Sequence, residues 1–100
     1  MKTYFATFTI KKRIKNEVVA IRFLKALAKT LEVKPVSYHL QLFPTLDGKG
    51  GFGITATLNF ADSYATLDTW PEFNIATLDI RSCKKFDERK VKKLIKSFFK

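Results

Sequence analysis

Between residues 52 and 82 the chain carries three alternating segments almost without pause: "FGITATLNF" at 52–60, "SYATLDTW" at 63–70 and "FNIATLDIRS" at 73–82. Apolar and polar side chains at a period of two mark strands. Connectors this short join antiparallel neighbours, because a parallel pair needs a long crossover. In the third segment Phe73, Ile75 and, weakly, Thr77 are expected on one face, with Leu78 and Ile80 on the other. Whatever else the chain does, it must accommodate this meander.

Two further segments alternate in the same way. Residues 2–10, "KTYFATFTI", set Tyr4, Ala6, Phe8 and Ile10 against Lys2, Phe5, Thr7 and Thr9. Residues 36–46, "VSYHLQLFPTL", set Val36, Tyr38, Leu40 and Leu42 against Ser37, His39 and Gln41. The period changes to that of a helix at 17–31, where Ala20, Phe23, Leu24, Leu27 and Leu31 form a stripe that excludes Arg22, Lys25 and Lys29. Asn16 is the expected cap of this helix, and Lys34-Pro35 its stop. A second stripe of Val91, Leu94, Ile95, Phe98 and Phe99 follows the cap residue Asp87.

Strand, helix, strands, helix is the order of an α+β two-layer sandwich, an antiparallel sheet with two helices on one face. The 100 residues make one domain, 1–100. The sheet's other face needs a partner if it is apolar, so a homodimer is expected.

Composition excludes several functions. Cys83 and His39 are the only cysteine and histidine, so no zinc or iron–sulfur cage is expected and the metal expectation is none. His39 on an alternating strand is poor material for a hydrolytic triad. "DGKGGFG" at 47–53 lacks phosphate-loop spacing and leads into a strand, which makes it a hairpin loop. No apolar run is long enough to span a membrane, and the N-terminus reads as no signal peptide; the cytoplasm is the expected compartment. The net charge of +10 is the oddity. Its clusters, "KKRIK" at 11–15 and the Lys-rich C-terminus, with aromatics on strands, make nucleic acid a secondary expectation as partner.

The stretch "TATLNFADSYATLDTWPEFNIATLDIRSCKK", Thr55 to Lys85, adds chemistry to this scaffold. Its Asp-Ser pair, its Thr-Trp-Pro-Glu and its Asp-x-x-x-Cys stand at the spacings of one family pattern. The sequence resembles the prokaryotic S-adenosylmethionine decarboxylases, which carry a pyruvoyl group made from their own chain. The resemblance implies self-cleavage between Asp62 and Ser63, giving fragments 1–62 and 63–100, with a covalent pyruvoyl cofactor derived from Ser63. Cys83 matches the catalytic acid that reprotonates the substrate carbon, and Thr55 the hydroxyl that assists processing. Glu72 matches the carboxylate that accepts the ribose hydroxyls, and Phe43 or Phe52 would hold the adenine.

The implied function is decarboxylation of S-adenosylmethionine to the aminopropyl donor for spermidine. A related amino-acid decarboxylase, or an unprocessed relative that binds a ligand or partner, is the alternative. The chain departs from the pattern at Asp68, where the family has its processing histidine. It departs also at Asp62 in place of glutamate, at Tyr64, and at Lys84 in place of glycine.

Overall fold

The computed structural model describes residues 1–10 and 17–100. The expected cap Asn16 and the basic run at 11–15 lie outside these. The elements are β1 (Lys2–Thr9), α1 (Glu17–Leu31), β2 (Ser37–Pro44), β3 (Phe52–Phe60), β4 (Ser63–Trp70), a 3-10 turn (Pro71–Phe73), β5 (Ile75–Ser82) and α2 (Glu88–Phe99). The five strands form one sheet in the order β1-β5-β4-β3-β2, every neighbouring pair antiparallel. Both helices pack on one face, so the fold is the α+β two-layer sandwich that the order of elements predicts.

Alternation decides which face each residue joins. Tyr4 and Phe8 of β1, Ile54, Ala56 and Leu58 of β3, Ala65 and Leu67 of β4, and Leu78 and Ile80 of β5 are buried beneath the helices. The helices answer with Phe23, Leu24 and Leu27 from α1 and Val91, Ile95 and Phe99 from α2. Phe99 joins the two layers: its ring centroid lies 5.3 Å from that of Phe8 and 5.0 Å from that of Phe23.

Strand β2 is shorter at both ends than the alternation at 36–46 suggests, and three local features differ from the sequence-based expectation. Lys2 shares the phase of Tyr4, and so the helix side, where its Nζ donates to the Phe86 carbonyl at 2.6 Å and sits over the Phe86 ring. Helix α1 stops before Pro35 is reached. Glu32 takes a left-handed φ of 57°, and the Glu32 and Val33 N–H groups bond back to the carbonyls of Lys29 and Ala28. That pair of bonds is a Schellman end, built here on a residue other than glycine. Phe73 belongs to the 3-10 turn and not to β5, because Pro71 opens a tight turn that closes on Asn74 at φ 54°. Asp87 caps α2 as expected, accepting from the Arg89 N–H at 2.9 Å.

The second face of the sheet carries no helix. The strand registers arrange it in cross-strand rows: Gln41, Thr55, Asp68, Thr77 and Thr7 in one, then His39, Thr57, Thr66, Asp79 and Phe5. Threonines fill its centre and aromatic residues its margins. It is not the apolar slab that alone would demand a partner.

Candidate active site

Ser63 opens β4 directly after a two-residue hairpin, Ala61-Asp62, whose closing pair is Phe60 and Ser63. Ala61 holds a φ of 54°, a left-handed conformation that costs a residue with a Cβ about 1–2 kcal/mol. Strain is therefore stored one residue before the Asp62–Ser63 bond. The Ser63 side chain points to the helix side and is 6% exposed.

Cys83 holds both sides of that bond. Its backbone N–H donates to Ser63 Oγ at 3.1 Å, and its thiol donates to Asp62 Oδ1 at 3.4 Å. The cysteine reaches this position because β5 ends at Ser82, beside the start of β4. Lys84 continues the contact, its Nζ donating to the Glu32 carbonyl at the end of α1. Together these groups line a cavity of about 280 Å³. Ser82, which sequence reasoning passed over, also lines it: the residue is 2% exposed and its Oγ accepts from the Lys84 N–H. The strand register, which sets Ser82 two residues beyond Ile80 on the buried face, was the signal that could have found it.

A second cluster stands at the other end of the sheet. Thr55 and Asp68 are cross-strand partners on the open face, and the Thr55 hydroxyl donates to Asp68 Oδ1 at 2.6 Å. Glu72, in the 3-10 turn, accepts from the Leu46 N–H at 2.5 Å through Oε2 and so ties down the β2–β3 loop. Its Oε1 is buried and takes no hydrogen bond from the described residues. A buried carboxylate oxygen without a donor is costly, and a hydroxyl-bearing ligand would remove that cost.

Phe43 lies at the same end. It is paired with Gly53, and a Cβ on Gly53 would stand 2.5 Å from Phe43 Cζ and 2.7 Å from the Thr69 carbonyl oxygen. Only a glycine lets the ring lie down on the strand there. Phe52, next along, is 56% exposed.

Within one chain the two clusters do not meet. Asp68 is five residues beyond Ser63 on a strand, a separation of about 17 Å, and it faces the opposite side of the sheet. Asp62, Ser63 and Cys83 come together; Thr55, Asp68, Glu72 and Phe43 gather elsewhere. No three metal-ligating residues cluster among the described residues.

Comparison with known proteins identifies the family. The family model for S-adenosylmethionine decarboxylase matches residues 6–100. An S-adenosylmethionine decarboxylase proenzyme from Clostridium botulinum (strain Langeland) is 32% identical over 80 residues, which cover 79% of this chain and 64% of that protein. Another, from Sulfurisphaera tokodaii, is 31% identical over 68 residues, 68% of this chain and 54% of that one. The match thus spans less than two thirds of the length of either relative. The chain belongs to the S-adenosylmethionine decarboxylase family.

Proposed function

We propose that this protein is the precursor of a pyruvoyl-dependent S-adenosylmethionine decarboxylase, folded as one domain, that cuts its own chain between Asp62 and Ser63. The observation that carries the reading is the grip of Cys83 on both residues of that bond. Ser63 Oγ attacks the Asp62 carbonyl carbon, with the Cys83 N–H stabilising negative charge on the oxygen. The peptide bond becomes an ester. Loss of the Ser63 α-proton expels the Asp62 carboxylate, and hydrolysis of the residue left behind releases ammonia. The pyruvoyl carbonyl so formed supplies an electron sink for loss of carbon dioxide from the substrate's α-carbon.

The chain's other residues position and protonate. Pairing of β4 with β3 and β5 holds the new terminus in the sheet. The Cys83 thiol is beside it, free of any disulfide, and delivers the proton to the substrate carbon. Such a thiol stays reduced in the cytoplasm, the compartment we assign. The unpartnered Oε1 of Glu72 accepts a ribose hydroxyl. Phe43, already flat on Gly53, offers a ring face to the adenine, with Phe52 at the rim. Because the Glu72 cluster lies at the far end of the sheet, it serves the Ser63 of a second copy. A homodimer that sets the Glu72 end of one copy beside the Ser63 end of the other completes both sites.

The product is the aminopropyl donor of spermidine synthesis. A related amino-acid substrate would use the same Ser63 and Cys83 but leave Glu72 without its ribose.

Intact mass of the purified chain tests the proposal. The expected result is two fragments, 1–62 and a 63–100 piece with a blocked N-terminus, release of carbon dioxide from S-adenosylmethionine, and no cut in Ser63→Ala. A full-length chain that persists for days refutes it. A second reading has its own support: Asp68 accepts a hydrogen bond from Thr55 where the family has a histidine, which favours an uncut relative that binds without chemistry. Under that reading wild type stays whole and Asp68→His restores cleavage.

A further inference from the structure

The charge of this protein is sorted by layer. The helices with their flanking turns, residues 17–34 and 84–100, hold twelve basic residues against four acidic ones, a balance of +8. The rest of the described chain, the sheet and its loops, holds three against five, a balance of −2. Every one of those twelve lysines and arginines is exposed. On α2 the outward side is Arg89, Lys92, Lys93 and Lys96, with Val91, Ile95 and Phe99 turned into the core. Between the helices runs an open groove of about 560 Å³, and Lys29, Lys90 and Lys93 line it.

We infer that the helix layer is a docking surface for duplex nucleic acid, bound through its phosphate backbone. Self-repulsion of so many like charges on one face works against folding and is relieved by a polyanion. The layer lacks what other anionic partners need. Among the described residues Val18 is its only exposed large hydrophobic side chain, whereas a protein interface is centred on buried aromatic or aliphatic anchors. The apolar side of α2 is spent on the core, so it cannot enter a membrane as an amphipathic helix does. No exposed aromatic is available to stack on unpaired bases, the usual means of holding a single strand. What remains is a dense array of cations, which fits a duplex carrying one charge per about 1.7 Å of axis.

Of the strand aromatics that the sequence suggested as a single-strand platform, Tyr4, Phe8 and Phe60 are buried in the core and Phe5 stands on the opposite face of the sheet. This surface therefore operates whether or not the chain cleaves itself.

The test is fluorescence anisotropy of a 20-base-pair DNA duplex of arbitrary sequence, titrated with the full chain across a range of KCl. About six phosphate contacts predict a slope of about −5 in log affinity against log salt. The triple variant Lys92→Glu, Lys93→Glu, Lys96→Glu should flatten it by about 3, and Lys49→Glu in the β2–β3 loop should leave it unchanged. All three substituted lysines are exposed, and thermal melts establish that the variant is folded. Poly-glutamate and phosphatidylglycerol vesicles at the same salt are the competing probes. A slope near zero, a slope indifferent to the triple variant, or equal binding to either competitor overturns the assignment.

Discussion

Thr69 sits at the point where the β3–β4 ladder gives way to the turn that carries Glu72. The paired register runs from Phe60–Ser63 to Thr55–Asp68. One residue further, the Ile54 N–H donates to the Thr69 hydroxyl, Oγ1, at 2.9 Å. Thr69 is 1% exposed and Ile54 2%, so no water replaces that acceptor. Thr69→Val keeps the β-branched shape and removes the oxygen alone. Leaving a buried N–H without a partner costs about 1–3 kcal/mol. In a domain of this length each kcal/mol lowers the melting temperature by about 4–8 °C, so a fall of roughly 5–20 °C is expected. Thermal melts followed by far-ultraviolet circular dichroism measure it, with urea titration to show an unchanged m. Thr57→Val is the control, since its hydroxyl meets that of Thr66 at 3.2 Å on the half-exposed face; its cost should stay within about 0.5 kcal/mol. A Thr69→Val melt within about 2 °C of wild type, or equal shifts in the two variants, would refute the reasoning.

Two further outcomes follow from the packing and the caps. Phe99 is fully buried between both layers, so Phe99→Ala should cost about 3–5 kcal/mol by urea denaturation, a large share of the stability of a domain this small. Asp87 is held below the ordinary carboxylate range chiefly by its hydrogen bond from the Arg89 N–H. Its contribution is present above the ordinary carboxylate pKa and is lost as pH falls through the lowered folded value. Asp87→Asn keeps a capping oxygen that does not titrate, so the gap between wild type and variant in melting temperature should narrow from pH 6 to pH 2.

Much of the fold is legible because period-two segments leave few choices. The spans 17–31, 52–60 and 63–70 appear in the structure as read. What escaped was local. Lys2, grouped above with Phe5 and Thr7, shares the parity of Tyr4, and its Nζ sits over the Phe86 ring. The stop of α1 at Glu32 was hidden, since a left-handed cap on a glutamate leaves no glycine to mark it. For the site, Ser63, Cys83 and Glu72 stand out through family spacing. Their division between two ends of the sheet is a matter of register and parity: Ser63 and Asp68 differ by an odd number, and that alone puts them on opposite faces. The placement of the excess charge also needed three dimensions: among the described residues the lysines lie mostly on the helices and their flanking turns.

The strand order has a consequence for the hairpin at Ala61-Asp62. A cut there divides the sheet unevenly: residues 1–62 keep β1, β2 and β3, and residues 63–100 keep β4, β5 and α2. In the order β1-β5-β4-β3-β2 the smaller piece supplies the two strands between β1 and β3. The larger piece alone has a gap in its sheet, and the smaller is a hairpin and a helix with no other partner for their apolar sides. The two halves are interleaved like clasped fingers, so severing the backbone would sever nothing else.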